Sequence, residues 1–345
     1  MTERILTQRA LNRALLARQL LLERSRLSIA EAVEQVGGLQ TQYAPSGYVG
    51  LWTRLVDFDR GDLTAALGDR TVIQASLLRV TIHIVSRREY WAYATGVRQV
   101  RREWALRTPG ATEQGGEPAM VAAAARLREA LAEGPRTVKE LGEIGAGFVG
   151  NLGLWVDLVR VPPSGTWERR RADRLALAET WVGPCDVDEA TGREHLVRAY
   201  LRAFGPAPWR DIASWAGFTA TDVRNVAVGL PLVRYRDESG RELIDLPDAP
   251  LPDPETPAPV RFLPHWDANL LVHARRAGIL PEPFRPRVFS LRNPFSVGVY
   301  LVDGVAAGAW SLKDGRIVLD PFVELTARDR RAVEHERDAL EAFHA

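Results

Sequence analysis

Apolar residues recur every three to four positions between residues 6 and 23 (Leu11, Leu15, Leu16, Leu20, Leu22). That is the period of a helix with one buried face. Ser28 with Glu31 three positions on matches a capping box and opens a second helix, from 29 to about 37. A third helix is expected over 48–56. The chain then changes to β-branched runs at 72–77 and 78–85, which read as strands, and returns to helix over 87–107. The same succession recurs twice. An Ala-rich helix over 118–132, a short capped helix over 137–141 and another over 149–159 lead to 167–182, a stretch suited to a wing hairpin. Helices over 191–204, 209–216 and 219 to about 228 precede a hairpin that pairs 232–236 with 242–246 across Asp237-Glu238-Ser239-Gly240. Helix, short helix, helix, hairpin is the order of a winged helix. No sharp sequence repeat accompanies it, so the order of elements alone carries that reading.

Prolines 247, 250, 252, 254, 257 and 259 mark a linker. Beyond it, short strands over 297–302, 305–312 and 316–319 are joined by hairpin turns at Asp303-Gly304 and Lys313-Asp314-Gly315. A closing helix runs from 326 to about 343. The expected fold class is therefore α+β. Three winged-helix units, 1–110, 111–185 and 186–247, come before a lobe at 260–345 that reads as a small antiparallel β-barrel or sheet with a helix packed on it.

With 345 residues the chain suffices for several small units or one multi-lobed body. Cys185 is the sole cysteine, which excludes intramolecular disulfides, cysteine-held iron–sulfur clusters and zinc knuckles. No run approaches ~18 uncharged apolar residues, and Met1-Thr2-Glu3-Arg4 lacks a signal-peptide pattern, so the expected location is the cytoplasm. Net charge is only +1 and does not announce a nucleic-acid partner. Lys139 and Lys313 are the only lysines, leaving arginine as nearly all of the basic complement. Arginine suits phosphate, although a GC-rich genome would also inflate it. A lysine Schiff-base mechanism has just those two candidates, one in a short helix and one in a turn.

The candidate chemistry starts at Gln40-Thr41-Gln42, after Gly37-Gly38. An amide is no acid or base near neutral pH, but it offers a carbonyl acceptor and two N–H donors that can orient a water molecule. In extended backbone Gln40 and Gln42 point one way and Thr41 the other. The plainer reading is a polar cap on a helix end. Arg79, Thr81 and His83 alternate along an expected strand and would share a face, where Arg79 could meet phosphate and His83 a base or water; an ordinary solvent face is the alternative. Asp267 is placed to cap a helix at Leu270 and Leu271, or else to stabilise positive charge on a sugar. His265 and His273 with Asp267 resemble a metal set, but their spacing argues against one, and neither metal nor cofactor is expected. Arg169-Arg170-Arg171 and Arg275-Arg276 could grip phosphate or form solvated faces. Phosphate-binding glycine loops, nucleophile elbows and dinucleotide fingerprints are missing from the sequence.

Three segments give the chain a resemblance to the winged-helix DNA glycosylases of the AlkZ and YcaQ type. They are the Gly-Leu-Gln-Thr-Gln run, the Leu-Arg-Val-Thr-Ile-His stretch, and Phe262-Leu263-Pro264-His265-Trp266-Asp267 followed by Arg275-Arg276. The family motif is glutamine, an apolar residue, then glutamine in the AlkZ branch or aspartate in the YcaQ branch. Gln40 and Gln42 match the AlkZ branch, while Thr41 departs from the usual aliphatic middle. The resemblance implies a C-shaped body of tandem winged helices and a β-barrel that cradles double-stranded DNA. It also implies a monofunctional glycosylase, a monomer working on cytoplasmic, nucleoid DNA, that removes N7-alkylated purines, including bulky adducts or interstrand crosslinks. Gln40 and Gln42 would position the water. Arg79, His83, Arg169, Arg170 and Arg275 would contact DNA. The competing expectation is a winged-helix DNA binder without catalysis, such as a transcription regulator. Against it, the helix after Thr219 offers only Arg224 and Asn225 for base reading.

Overall fold

The computed structural model describes residues 4–107, 115–142, 154–271, 278–289 and 296–345. Strand β1 (Arg4–Leu6) precedes helix α1 (Gln8–Arg18), which Thr7 caps by accepting from Ala10 N at 3.1 Å. The helix is shorter than its apolar spacing implies. Leu6 is drawn into β1, and Leu20 at φ +56° turns the chain. Ser28 and Glu31 form the expected capping box of α2 (Ile29–Gln35), and Gly37 and Gly38, at φ +76° and +83°, swing the chain into β2 (Leu39–Gln40). Proline at the first turn starts α3 (Pro45–Trp52) three residues earlier than expected. Helix α4 (Arg60–Gly68), boxed by Asp59 and Asp62, is an addition to the sequence reading. Strands β3 (Val72–Ser76) and β4 (Ile82–Ser86) follow, separated by a tight turn at Leu78–Val80, and then α5 (Tyr90–Leu106).

The middle of the chain departs more from expectation. Helix α6 (Gly116–Ala130) forms, but Arg136–Thr137 is strand β5, with one helical turn closed behind it by Leu141 N to Thr137 O. The helix expected over 149–159 ends within strand β6 (Leu158–Arg160); its residues 149–153 lie outside the described residues. Val159 is fully buried and pairs with both neighbours, so tertiary burial overrides the local pattern. Strand β7 (Arg174–Leu177) pairs with β5 and β6 rather than within an isolated 167–182 hairpin, and α7 (Ala178–Trp181) follows it.

Farther on, α8 (Glu189–Phe204), α9 (Trp209–Ala216), α10 (Ala220–Val226), β8 (Val233–Asp237) and β9 (Glu242–Asp245) fall where the sequence places them. The last lobe holds β10 (Arg261–Leu263), α11 (Arg285–Val288), β11 (Gly298–Val302), β12 (Val305–Lys313), β13 (Arg316–Pro321) and α12 (Ala327–His344).

Three sheets organise these elements. The largest, in order β2-β4-β3-β6-β7-β5, carries strands from both sides of residue 110. The second is β1-β8-β9, in which β1 pairs parallel with β8 across more than two hundred residues of chain. The third, β10-β11-β12-β13, is an antiparallel meander with no closing pair among the described residues. Phe262, Trp310, Val333 and Leu340 pack between it and α12. Helices α5 and α8 run in close contact because Gly96 faces Gly192: a Cβ on Gly96 would meet Gly192 O at 2.6 Å. Two buried ion pairs tie distant segments, Arg18 to Asp245 at 2.7 Å and Arg54 to Asp267 at 2.8 Å.

Candidate active site

Strand β2 lies against β4 with Leu39 opposite Ile84 and Gln40 opposite His83. Thr41 N donates to Ile82 O at 2.8 Å and extends the ladder by one residue. Side chains therefore alternate here. Thr41 turns inward, where its Oγ1 accepts from Gln74 Nε2 at 3.1 Å and its methyl occupies the space a Cβ on Gly47 would need. Gln42 is exposed, whereas Gln40 is 8% exposed.

The partners set the orientation of both amides. Arg79 Nη2 donates to Gln40 Oε1 at 3.1 Å, and Ile82 N donates to Gln42 Oε1 at 3.2 Å. A guanidinium and a peptide N–H can only donate, so each faces the carbonyl oxygen. Each of those oxygens has a second lone pair, and each side chain keeps its NH2 group. The glutamines are thus held in place yet retain both kinds of hydrogen-bonding site.

Arg79 does not lie on a strand. It sits in the turn between β3 and β4 at φ +52°, next to Val80 at φ +58°, so it does not share a strand face with Thr81 and His83 as the alternation predicts. A β-branched residue in that region is strained, and the strain adjoins the glutamine pair. Nη1 of Arg79 donates to Trp215 O at 3.1 Å. Burial lowers its pKa to about 10, which leaves it charged at neutral pH. Both bonds run to neutral oxygens.

His83 is 3% exposed and presents almost no surface to a large ligand. Its Nδ1 lies 2.9 Å from Thr81 O, a pure acceptor, so Nδ1 carries the hydrogen. Burial, reinforced by the Arg79 charge, lowers its pKa to about 3, and the ring is neutral. Among the described residues, 268–270 form a turn rather than the expected start of a helix, and 272–277 lie outside them; the Asp267 carboxylate accepts from Arg54, Asn269 N and Asn269 Nδ2. At 5% exposure and already ion-paired, it is not free to face a sugar.

Arg169 and Arg170 are exposed in the 161–173 loop, and Arg170 Nη1 donates to the Tyr43 hydroxyl at 3.0 Å, one residue beyond Gln42. Arg275, Arg276 and His273 lie outside the described residues. Among those described, no group of three or more His, Cys, Asp or Glu side chains could hold a metal, and no helix is long and apolar enough to cross a membrane. The sequence reading missed Gln74 and Tyr43. The signal for Gln74 was a lone amide inside the apolar strand Val72–Ser76; for Tyr43 it was adjacency to Gln42 alone.

A family model described as "DNA glycosylase AlkZ-like" matches residues 33–343. The solved structure of the Streptomyces sahachiroi DNA glycosylase AlkZ superimposes with a TM-score of 0.82 at 18% identity, covering 99% of this chain and 97% of that one. Comparison with curated proteins returns no match.

Proposed function

The chain belongs to the AlkZ-like DNA glycosylase family, and on that premise we propose that it hydrolyses the N-glycosidic bond of N7-alkylated purines in double-stranded DNA. The proposed range includes bulky adducts and interstrand crosslinks. Alkylation at N7 makes the purine a cation, so the departing base is already activated and needs no proton. What remains is to set a water against C1′: its oxygen bonds to C1′ as the C1′–N9 bond breaks, the purine leaves neutral with that electron pair, the surplus proton passes to solvent, and an abasic site is left, a task of positioning and electrostatics. The enzyme acts as a monomer on cytoplasmic, nucleoid DNA.

One observation carries this reading: the two glutamine carbonyls are each fixed by a pure donor while retaining a free lone pair. Gln42, exposed, meets the water; Gln40, more enclosed, orients it from behind. Arg79 acts as a positioning residue through Gln40, and its charge, unopposed by a carboxylate in either of these bonds, is available to the DNA backbone. Arg169, Arg170 and Arg275 supply further phosphate contacts. His83, neutral and nearly covered, shapes the hairpin that carries Arg79. A base crosslinked to both strands cannot be rotated far from the duplex, so an open cradle suits this chemistry better than a deep pocket.

The test is single-turnover release of 7-methylguanine from duplex DNA, scored as alkali-labile breaks. Gln40→Ala and Gln42→Ala are each expected to lower the rate by roughly 100-fold, as for removal of one oriented polar group from a catalytic site, with DNA affinity retained. Wild-type rates in both variants would remove the glutamines from the mechanism.

A further inference from the structure

Next to Gln42 lies a cleft of about 190 Å³, and six of the side chains that line it touch one another in turn. Tyr43 stands 5.6 Å from His265, His265 5.8 Å from Trp310, and Trp310 6.0 Å from His344, centroid to centroid. His344 is 5.2 Å from Trp167. Arg170 closes the ring, its guanidinium 5.9 Å from Trp167 and 5.8 Å from Tyr43. The polar atoms of two members bond to backbone: Trp310 Nε1 donates to Leu263 O at 2.9 Å, and His344 Nδ1 lies 2.8 Å from Leu340 O. Both bonds fix the orientation of these rings.

The first unit, the 161–173 loop and the last lobe all contribute. Ser46, in the same wall, is 3% exposed, and its Oγ has no hydrogen-bond partner.

We propose that this cleft is a subsite for a planar aromatic group attached to the lesion, distinct from the purine that is released. This rests on the N7-alkylpurine reading above. Charge decides between the two ligands an aromatic box could take. Such boxes also bind cations, but here no lining residue is acidic and Arg170 stands at the rim, while burial holds His265 to a pKa of about 4 and keeps it neutral. A neutral or electron-rich arene carrying an oxygen atom fits: Arg170 at the rim can donate to that oxygen, and Trp167, Trp310 and Tyr43 offer stacking or edge contacts.

Size agrees, since a dry cavity of about 150 Å³ holds benzene. Position agrees as well. N7 and N9 of a purine flank the same carbon, so a group on N7 lies within a few bonds of C1′, and Tyr43 begins one peptide step, about 3.8 Å, past Gln42.

The experiment compares single-turnover release of 7-methylguanine and 7-benzylguanine from otherwise identical duplexes. Two variants are used with the wild type. Ser311→Trp, on strand β12 at the cleft edge, fills the space without removing a core residue, and Trp167→Ala removes one wall. Both are expected to slow benzylguanine release by about tenfold or more while methylguanine release stays within about twofold, the size of one lost aromatic contact. Equal losses on both duplexes, or no loss on either, would overturn the subsite while leaving the glycosylase reading intact. If the wild type releases neither base, the N7-alkylpurine reading fails and the subsite falls with it.

Discussion

Gln40 and Gln42 are neither acids nor bases near neutral pH, and burial holds the histidine beside them in its neutral form. The folded pKa of His83, about 3, lies below the ordinary 6.5, and that of His265 is lowered to about 4, both chiefly by burial. Between about pH 3 and 6.5 the unfolded chain binds a proton at His83 that the folded chain refuses. Stability therefore rises with pH through that window and is lost on acidification. Thermal melts at pH 7.5 and pH 5 are expected to show a drop in Tm, and the drop should be smaller in His83→Gln. An equal drop in the variant would mean that His83 does not link to acid unfolding. The residues differ in how far the sequence revealed them. The Gln-x-Gln alternation was legible because it needs only extended backbone, and Thr41 does turn inward onto Gln74. That Arg79 reaches Gln40 was not, because the reach depends on positive φ at Arg79 and Val80. Neither Arg nor Val signals that conformation in a sequence.

Helices were read well where a cap and an apolar stripe agreed, as at Ser28, Thr219 and Thr326, whose side chains all accept from the first turn. They were misread where burial came from distant partners: β6 is a strand because β3 and β7 flank it, which no local window contains. The α5–α8 contact is a further case, since its closeness depends on two glycines ninety-six positions apart. Gly96→Ala should destabilise by roughly 1–3 kcal/mol, because the new methyl has backbone in its way. Gly68→Ala, with nothing within 4 Å of its Cβ, serves as the control and should be neutral or stabilising by about 0.4–1 kcal/mol. Urea unfolding of the pair decides it. If the two substitutions behave alike, the glycine contact does not set the helix approach.

Much of the order of helices and strands was visible along the chain, yet what ties its distant segments together was not. Arg18 of α1 donates through both terminal nitrogens to Asp245 of β9, and Arg13 pairs with Asp303 in the last lobe. Arg18 and Asp245 are both sealed from solvent. Asp245→Ala should therefore cost about 3–5 kcal/mol, since it strands a buried cation, whereas Arg18→Met with Asp245→Leu should recover most of the loss. A double variant no more stable than the single one would show that packing, not the unpaired charge, is responsible. The same pair bears on biosynthesis. Asp245 follows Arg18 by 227 residues, and Asp303 follows Arg13 by 290. While the polypeptide is being translated, the first helix leaves the ribosome with two arginines whose carboxylate partners are not made until the last third of the chain. The helix formed earliest is thus among the last to be docked, and nascent chains halted before codon 245 should remain protease-sensitive at their amino-terminal end.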